Sequence, residues 1–111
     1  MSWDATLVCR HCHHAIGDWN YTHSCNAMAD LALDPAYAPQ AVWWRQLDGM
    51  DGPSSASFLD QILDAFNADP IRFRALNPDN GWGDFDSFRK VIGEMRAAIP
   101  DGCRVKWEVS G

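Results

Sequence analysis

Three of the four cysteines and all four histidines fall within residues 9–25. Cys9-Arg10-His11-Cys12 is a C-x2-C pair, and two thiolates on so tight a turn can hold one side of a Zn²⁺ ion. Tetrahedral zinc then needs two more ligands, drawn from His13, His14, His23 and Cys25. A chain that returns beside 9–12 would complete the set Cys9, Cys12, His23, Cys25. His23-Ser24-Cys25 is not a second pair of the same spacing, and His13 stands where a zinc knuckle favours Gly. The alternative reading makes Cys9 a small apolar residue pointing inward from a strand, with the histidines solvated in a turn. A redox pair would open a helix after a strand in a βαβ unit, and that pattern is absent.

Other chemistry has less support. No G-x-S-x-G, H-E-x-x-H, H-x-E…C-x-x-C or phosphate-cradling Gly loop occurs. The acidic residues are scattered over positions that suit helix caps and solvated faces. Six tryptophans, Trp3, Trp19, Trp43, Trp44, Trp82 and Trp107, are many for 111 residues. Trp combines a large apolar face with one donor, which serves both small cores and binding sites.

The elements that would position these groups follow from periodicity. Residues 5–10 read as a strand, 11–17 as a turn and 18–23 as a returning strand. Ser24 suits an N-cap for a helix over 25–33, and Asp34-Pro35 stops it. Residues 35–53 read as a loop with an ordered piece at Val42-Trp43-Trp44. A helix from Ser54 or Ser55 to Asn67 places Leu59, Ile62, Leu63 and Phe66 at helical spacing. Pro70 restarts a short helical turn over 71–76, and Asn77-Pro78-Asp79-Asn80-Gly81 is turn chemistry. Asp84 caps a third helix whose apolar stripe is Phe85, Phe88, Ile92, Met95 and Ile99. Pro100-Asp101-Gly102 ends it, and 103–109 alternates with Cys103, Val105, Trp107 and Val109 on one face. The expected fold is α+β: one domain over 1–111, a three-stranded antiparallel sheet built from the N-terminal hairpin and the C-terminal strand, and about three helices over one face.

Two segments resemble a known family. Asp18-Trp19-Asn20-Tyr21-Thr22-His23 is similar to the "NYT" segment, and Ala75-Leu76-Asn77-Pro78-Asp79-Asn80-Gly81-Trp82-Gly83-Asp84-Phe85 to the "NPxNGWGDY/F" segment, of a family of small proteins found in phages of actinobacteria and related bacterial genomes. Members also tend to open with a C-x2-C and to end on a strand, so the resemblance implies a phage-type origin and a shared shape across most of the chain.

The residues themselves suggest how the two segments could act together. Each leads into a helix start, where unpaired N–H groups favour anions. Asn20, Thr22, His23, Asn80 and Trp82 would line one hollow floored by N–H groups of 82–85. Gly81 and Gly83 would admit a ligand to the backbone, and Trp82 would stack on a base or sugar. The alternative is purely structural, with Asn80-Gly81 as a turn and Trp82 as a core plug.

The composition bounds the function. The formal charge is −6 from 9 basic and 15 acidic residues, which argues against nucleic acid or an anionic membrane as partner. No apolar run approaches the roughly 18 residues that span a bilayer, and residues 1–10 carry no basic start before an apolar stretch, so a cytoplasmic location is expected, in the host if phage-encoded. The first functional expectation is a non-catalytic accessory protein capturing a small polar or nucleotide-like ligand. The second is an acidic module that engages a basic host protein. The third is a zinc-stabilised structural domain or a small Cys/His enzyme.

Overall fold

The computed structural model describes residues 2–33, 43–101 and 104–111. The expected stop at Asp34-Pro35, the loop up to Val42, Gly102 and Cys103 lie outside the described residues. The elements in chain order are β1 (Ser2–Cys9), β2 (Ala15–Thr22), a 3-10 turn (His23–Cys25), α1 (Asn26–Leu33), α2 (Trp43–Leu47), α3 (Gly52–Ala68), α4 (Pro70–Arg74), α5 (Phe85–Ala97) and β3 (Val105–Ser110). The three strands form one antiparallel sheet in the order β2-β1-β3. The α+β fold is as expected, with α1, α3 and α5 as its longer helices, α4 as the short turn expected after Pro70, and α2 as a short helix at the expected ordered piece.

Strand alternation sets the core. Trp3, Ala5 and Leu7 of β1 and Val105, Trp107 and Val109 of β3 are buried on one face, as a sheet with one covered side requires. The hairpin is longer than expected because Trp3 extends the inward series past Asp4, so β1 begins at Ser2 and its partner at Ala15. The intervening turn then shrinks to 10–14, with His13 in the left-handed region at φ 61°.

The two edges of this sheet differ. The 48–51 segment covers β3: the Gly49 N–H donates to Trp107 C=O, the Trp107 N–H to Met50 C=O, and the Val109 N–H to Asp48 Oδ1. Among the described residues the outer side of β2 has no such partner strand.

Helix starts are fixed by acidic caps. Asp51 accepts from the Ser54 N–H, so α3 begins at Gly52 rather than at Ser54 or Ser55, with Pro53 in its first turn. Asp84 caps α5 as expected by accepting from the Ser87 N–H at 2.8 Å. Ser24 does not cap α1; the Thr22 hydroxyl accepts from the Ser24 N–H and opens the 3-10 turn instead.

α5 buries Phe85, Phe88, Ile92 and Met95, and Ile99 packs against the same core just past its end. Phe88 sits at the centre, stacked with Tyr21 at 5.4 Å and edge-on to Trp43 at 5.7 Å. Phe66 of α3 reaches Phe73, Phe85 and Phe88. Removing a ring so enclosed leaves a cavity that its neighbours cannot fill. Phe88→Ala is therefore expected to cost about 3–5 kcal/mol, read as a shift of the urea midpoint at unchanged slope. A loss below about 1 kcal/mol would place this side chain outside the core.

Candidate functional site

The two segments singled out in the sequence meet at one end of β2. Tyr21 makes the junction. Its hydroxyl accepts from the Asp84 N–H at 3.1 Å, lies 2.5 Å from the Ser87 hydroxyl and reaches Asp84 C=O at 3.3 Å. Gly83 fits underneath with φ +84°; a Cβ there would lie 2.7 Å from the Tyr21 hydroxyl and 2.8 Å from Thr22 Cγ2. Asn80 locks the turn in two directions, its Oδ1 accepting from the Trp82 N–H at 2.8 Å and its Nδ2 donating to Ser24 Oγ at 3.2 Å. Asn77 Oδ1 accepts from the Phe85 N–H at 2.8 Å.

This arrangement pushes one side chain outward. Of the six tryptophans only Trp82 is exposed, at 69%. It borders a shallow hollow of about 380 Å³ with Ser2, Asn20, Tyr21, Thr22 and Gly83. Ser2 and Thr22 are direct cross-strand partners, and Asn20 lies two residues along on the same face. Asn20 is exposed, and its side chain has no hydrogen-bond partner among the described residues.

Four sequence expectations need correction. The Trp82 N–H is bonded to Asn80, the Asp84 N–H to Tyr21 and the Phe85 N–H to Asn77, so three of the four N–H groups of the expected anion floor are already taken by the protein. Asp84 and Asp86 add negative charge at the same helix start. His23 is not in the hollow: its Nδ1 pairs with Asn26 Nδ2 at 2.9 Å, its ring meets Trp44 edge-on at 5.8 Å, and Gly111 lies against it. Neither Asn80 nor Gly81 lines the hollow: the Asn80 side chain is spent on the turn, and Gly81, at φ +75° with open space where a Cβ would stand, shapes that turn.

The fourth correction concerns the metal set. Ser2 pairs with Thr22 while Cys9 ends the same strand. Seven residue steps at about 3.3 Å each put Cys9 and Cys12 roughly 23 Å along the strand from His23 and Cys25. The four expected ligands therefore do not converge, and among the described residues no group of three or more His, Cys, Asp or Glu is placed to hold a metal. Cys9 is half-buried, Cys12 exposed in the turn and Cys25 fully buried. Burial pushes the Cys25 thiol up to about 11, only partly offset by the Tyr21 hydroxyl beside it.

No family model matches the chain, and no curated protein or solved structure matches it. Among the described residues no helix is long and apolar enough to cross a membrane.

Two measurements check this geometry. Gly83→Ala meets both a positive φ and a sub-contact Cβ and is expected to cost at least 3 kcal/mol by the order of magnitude of such strain, whereas Gly81→Ala, with a positive φ alone, should cost about 1–2 kcal/mol. Equal losses in urea melts would show that Gly83 is not wedged under Tyr21. For the thiols, iodoacetamide at pH 8 should label Cys12 in the native protein while Cys25, protonated and enclosed, labels only after denaturant is added. Peptide mapping that finds Cys25 labelled at the rate of Cys12 would contradict its burial.

Proposed function

We propose that the protein is a non-catalytic binding module that takes a neutral, ring-shaped polar ligand, a nucleoside or a sugar, on the face of Trp82. The observation that carries this reading is the exposed indole held from behind. Asn80 and Gly83 immobilise its backbone, so the ring is displayed on a rigid turn. Leaving so large an apolar surface in water forgoes burial worth of order 2 kcal/mol. Ser2, Asn20 and Thr22 supply donors and acceptors along the adjoining strand end. That combination of one flat apolar face with a few polar groups beside it is what ring recognition uses.

A free nucleotide suits the hollow less well than the nucleoside. Three of the four N–H groups of 82–85 that would hold a phosphate are bonded internally, and the chain is acidic. The "NYT" and "NPxNGWGD" likeness supports reading the module as a phage-type accessory protein. In this reading the motif's Asn, Gly and Asp build the turn and its Trp meets the ligand. The buried, protonated Cys25 adds no nucleophile to this end of the molecule.

Intrinsic fluorescence tests the proposal, because Trp82 is the one exposed tryptophan. Titration with a panel of nucleosides and mono- and disaccharides should give saturable quenching for at least one member. Trp82→Ala should then weaken that ligand by about 5–150-fold, the range of a lost stacking contact, and Asn20→Ala by about 5-fold or more, both without lowering Tm. A panel in which no compound saturates below about 10 mM, a Kd weaker than roughly 3 kcal/mol of binding, would rule the reading out.

A further inference from the structure

A second cavity, of about 540 Å³, lies where the start of α3, the end of α5 and the junction of β1 with β3 meet. It is at the opposite end of β1 from the Trp82 hollow, and the argument for it does not depend on that hollow. Arg10, Arg96 and Arg104 all line it, three of only nine basic side chains in a chain of net charge −6.

The backbone places two of these residues side by side. Cys9 pairs with Val105 across β1 and β3, and one step further the Arg10 N–H donates to the Arg104 C=O at 2.8 Å. Arg10 and Arg104 therefore stand directly opposite one another, where like charges repel. Among the described residues no carboxylate comes within 4.0 Å of either guanidinium. Arg96 is different, because its Nε holds Asp60 Oδ1 at 2.8 Å.

Two carboxylates border the cavity. That of Asp51 is turned to the Ser54 N–H as the cap of α3; this bond first, and Arg10 more weakly, hold it below the usual carboxylate range. Asp101 is exposed at the rim. The remaining wall is largely apolar, with Pro53, Ile99 and Val105. A guanidinium fork suits carboxylate and phosphate oxygens, and the volume falls in the range of small-molecule sites.

We infer that this cavity binds a small organic anion, a carboxylate or phosphate ester on an apolar body, with Arg10 and Arg104 on the anionic head and the Pro53, Ile99 and Val105 wall on the body. The anion would relieve the repulsion between the two arginines and cover apolar surface in the same step.

The test uses the full ¹⁵N-labelled chain titrated with hexanoate, phenyl phosphate and hexyltrimethylammonium. Hexanoate or phenyl phosphate is expected to saturate, shifting the amides of Arg10, Gly52, Ala56 and Arg104, and the stronger of the two identifies the head group. Arg10→Gln with Arg104→Gln should weaken that anion by about tenfold or more. Trp82→Ala should leave its affinity within about twofold, since well-separated sites act independently. Both arginines are exposed, so Tm should hold; if the double variant lowers it, each single variant should still show a loss of affinity. Binding of the cation as tightly as the anions, shifts confined to other residues, an affinity unchanged in the arginine variants, or no saturation by either anion would each overturn the proposal.

Discussion

The structure turns on how an edge strand is joined to a helix. α5 must bury a stripe of large side chains, and the sheet offers it a face made by strands β1 and β3 and by the less buried β2. Tyr21 closes the gap. Its ring stacks on Phe88, while its hydroxyl takes the Asp84 N–H and meets Ser87. One side chain thus contributes apolar area to the core and satisfies a helix-start donor that capping by Asp84 leaves over. Because the hydroxyl ends at the helix start, the chain entering α5 must pass tightly beneath it, which only Gly83 can do. The direction of that passage sends Trp82 outward. The core contact and the exposed indole are two results of the same joint.

A second set of polar contacts is buried deeper. Asn26 accepts from the Trp43 Nε1–H at 2.7 Å and sits 2.9 Å from His23 Nδ1. Indole can only donate, so the Asn26 oxygen must face Trp43 and its amide nitrogen must face His23. His23 Nδ1 is then an acceptor and its proton lies on Nε2. The Trp43 N–H donates to Asp30 Oδ1 at 2.8 Å, which ties α2 to α1 a second time. By contrast Nε1 of Trp3, Trp44 and Trp107 and Nε2 of His23 have no partner among the described residues. Each such donor costs roughly 1–3 kcal/mol, so these rings are held inside by area and not by their polar atoms. The aromatic richness that suggested binding in the sequence is mostly core packing, and Trp82 is the exception.

What could be read in advance divides along physical lines. The α5 stripe, the β3 alternation and the Asp84 cap depend on local period and local chemistry, and each residue carries its own signal. The meeting of 20–22 with 80–83 was also accessible, because both segments lead into helices that pack on one sheet. The four-cysteine-and-histidine set failed because ligand spacing along the chain says nothing about register. Once β1 starts at Ser2, the hairpin becomes long enough to separate the two halves of the set. The place of His23 is hidden for a related reason: its partner, Asn26, is held by a tryptophan seventeen residues on, a contact that no local pattern encodes. The arginine cavity draws on residues around 10, 52, 96 and 104, and no pattern in the sequence links them.

The helix starts explain why positive potential ends up where it does. Asp51, Asp69 and Asp84 each accept an N–H of the first turn of α3, α4 and α5. An acidic cap both fills a vacant donor and neutralises the partial positive charge at that end. Three helix N-termini that could have drawn anions are therefore closed by the chain's own carboxylates. Three arginines are also neutralised locally, Arg74 and Arg89 by Asp86 and Arg96 by Asp60, while Arg45 and Arg72 lie over the Trp44 and Phe73 rings. Arg10 and Arg104 escape this pattern because they sit where two strands end and begin, set by register and not by helix chemistry. In an acidic protein whose helix starts are capped by its own carboxylates, an opposed arginine couple with no carboxylate within ion-pair distance, on an apolar-walled cavity, is the place where an external anion gains most.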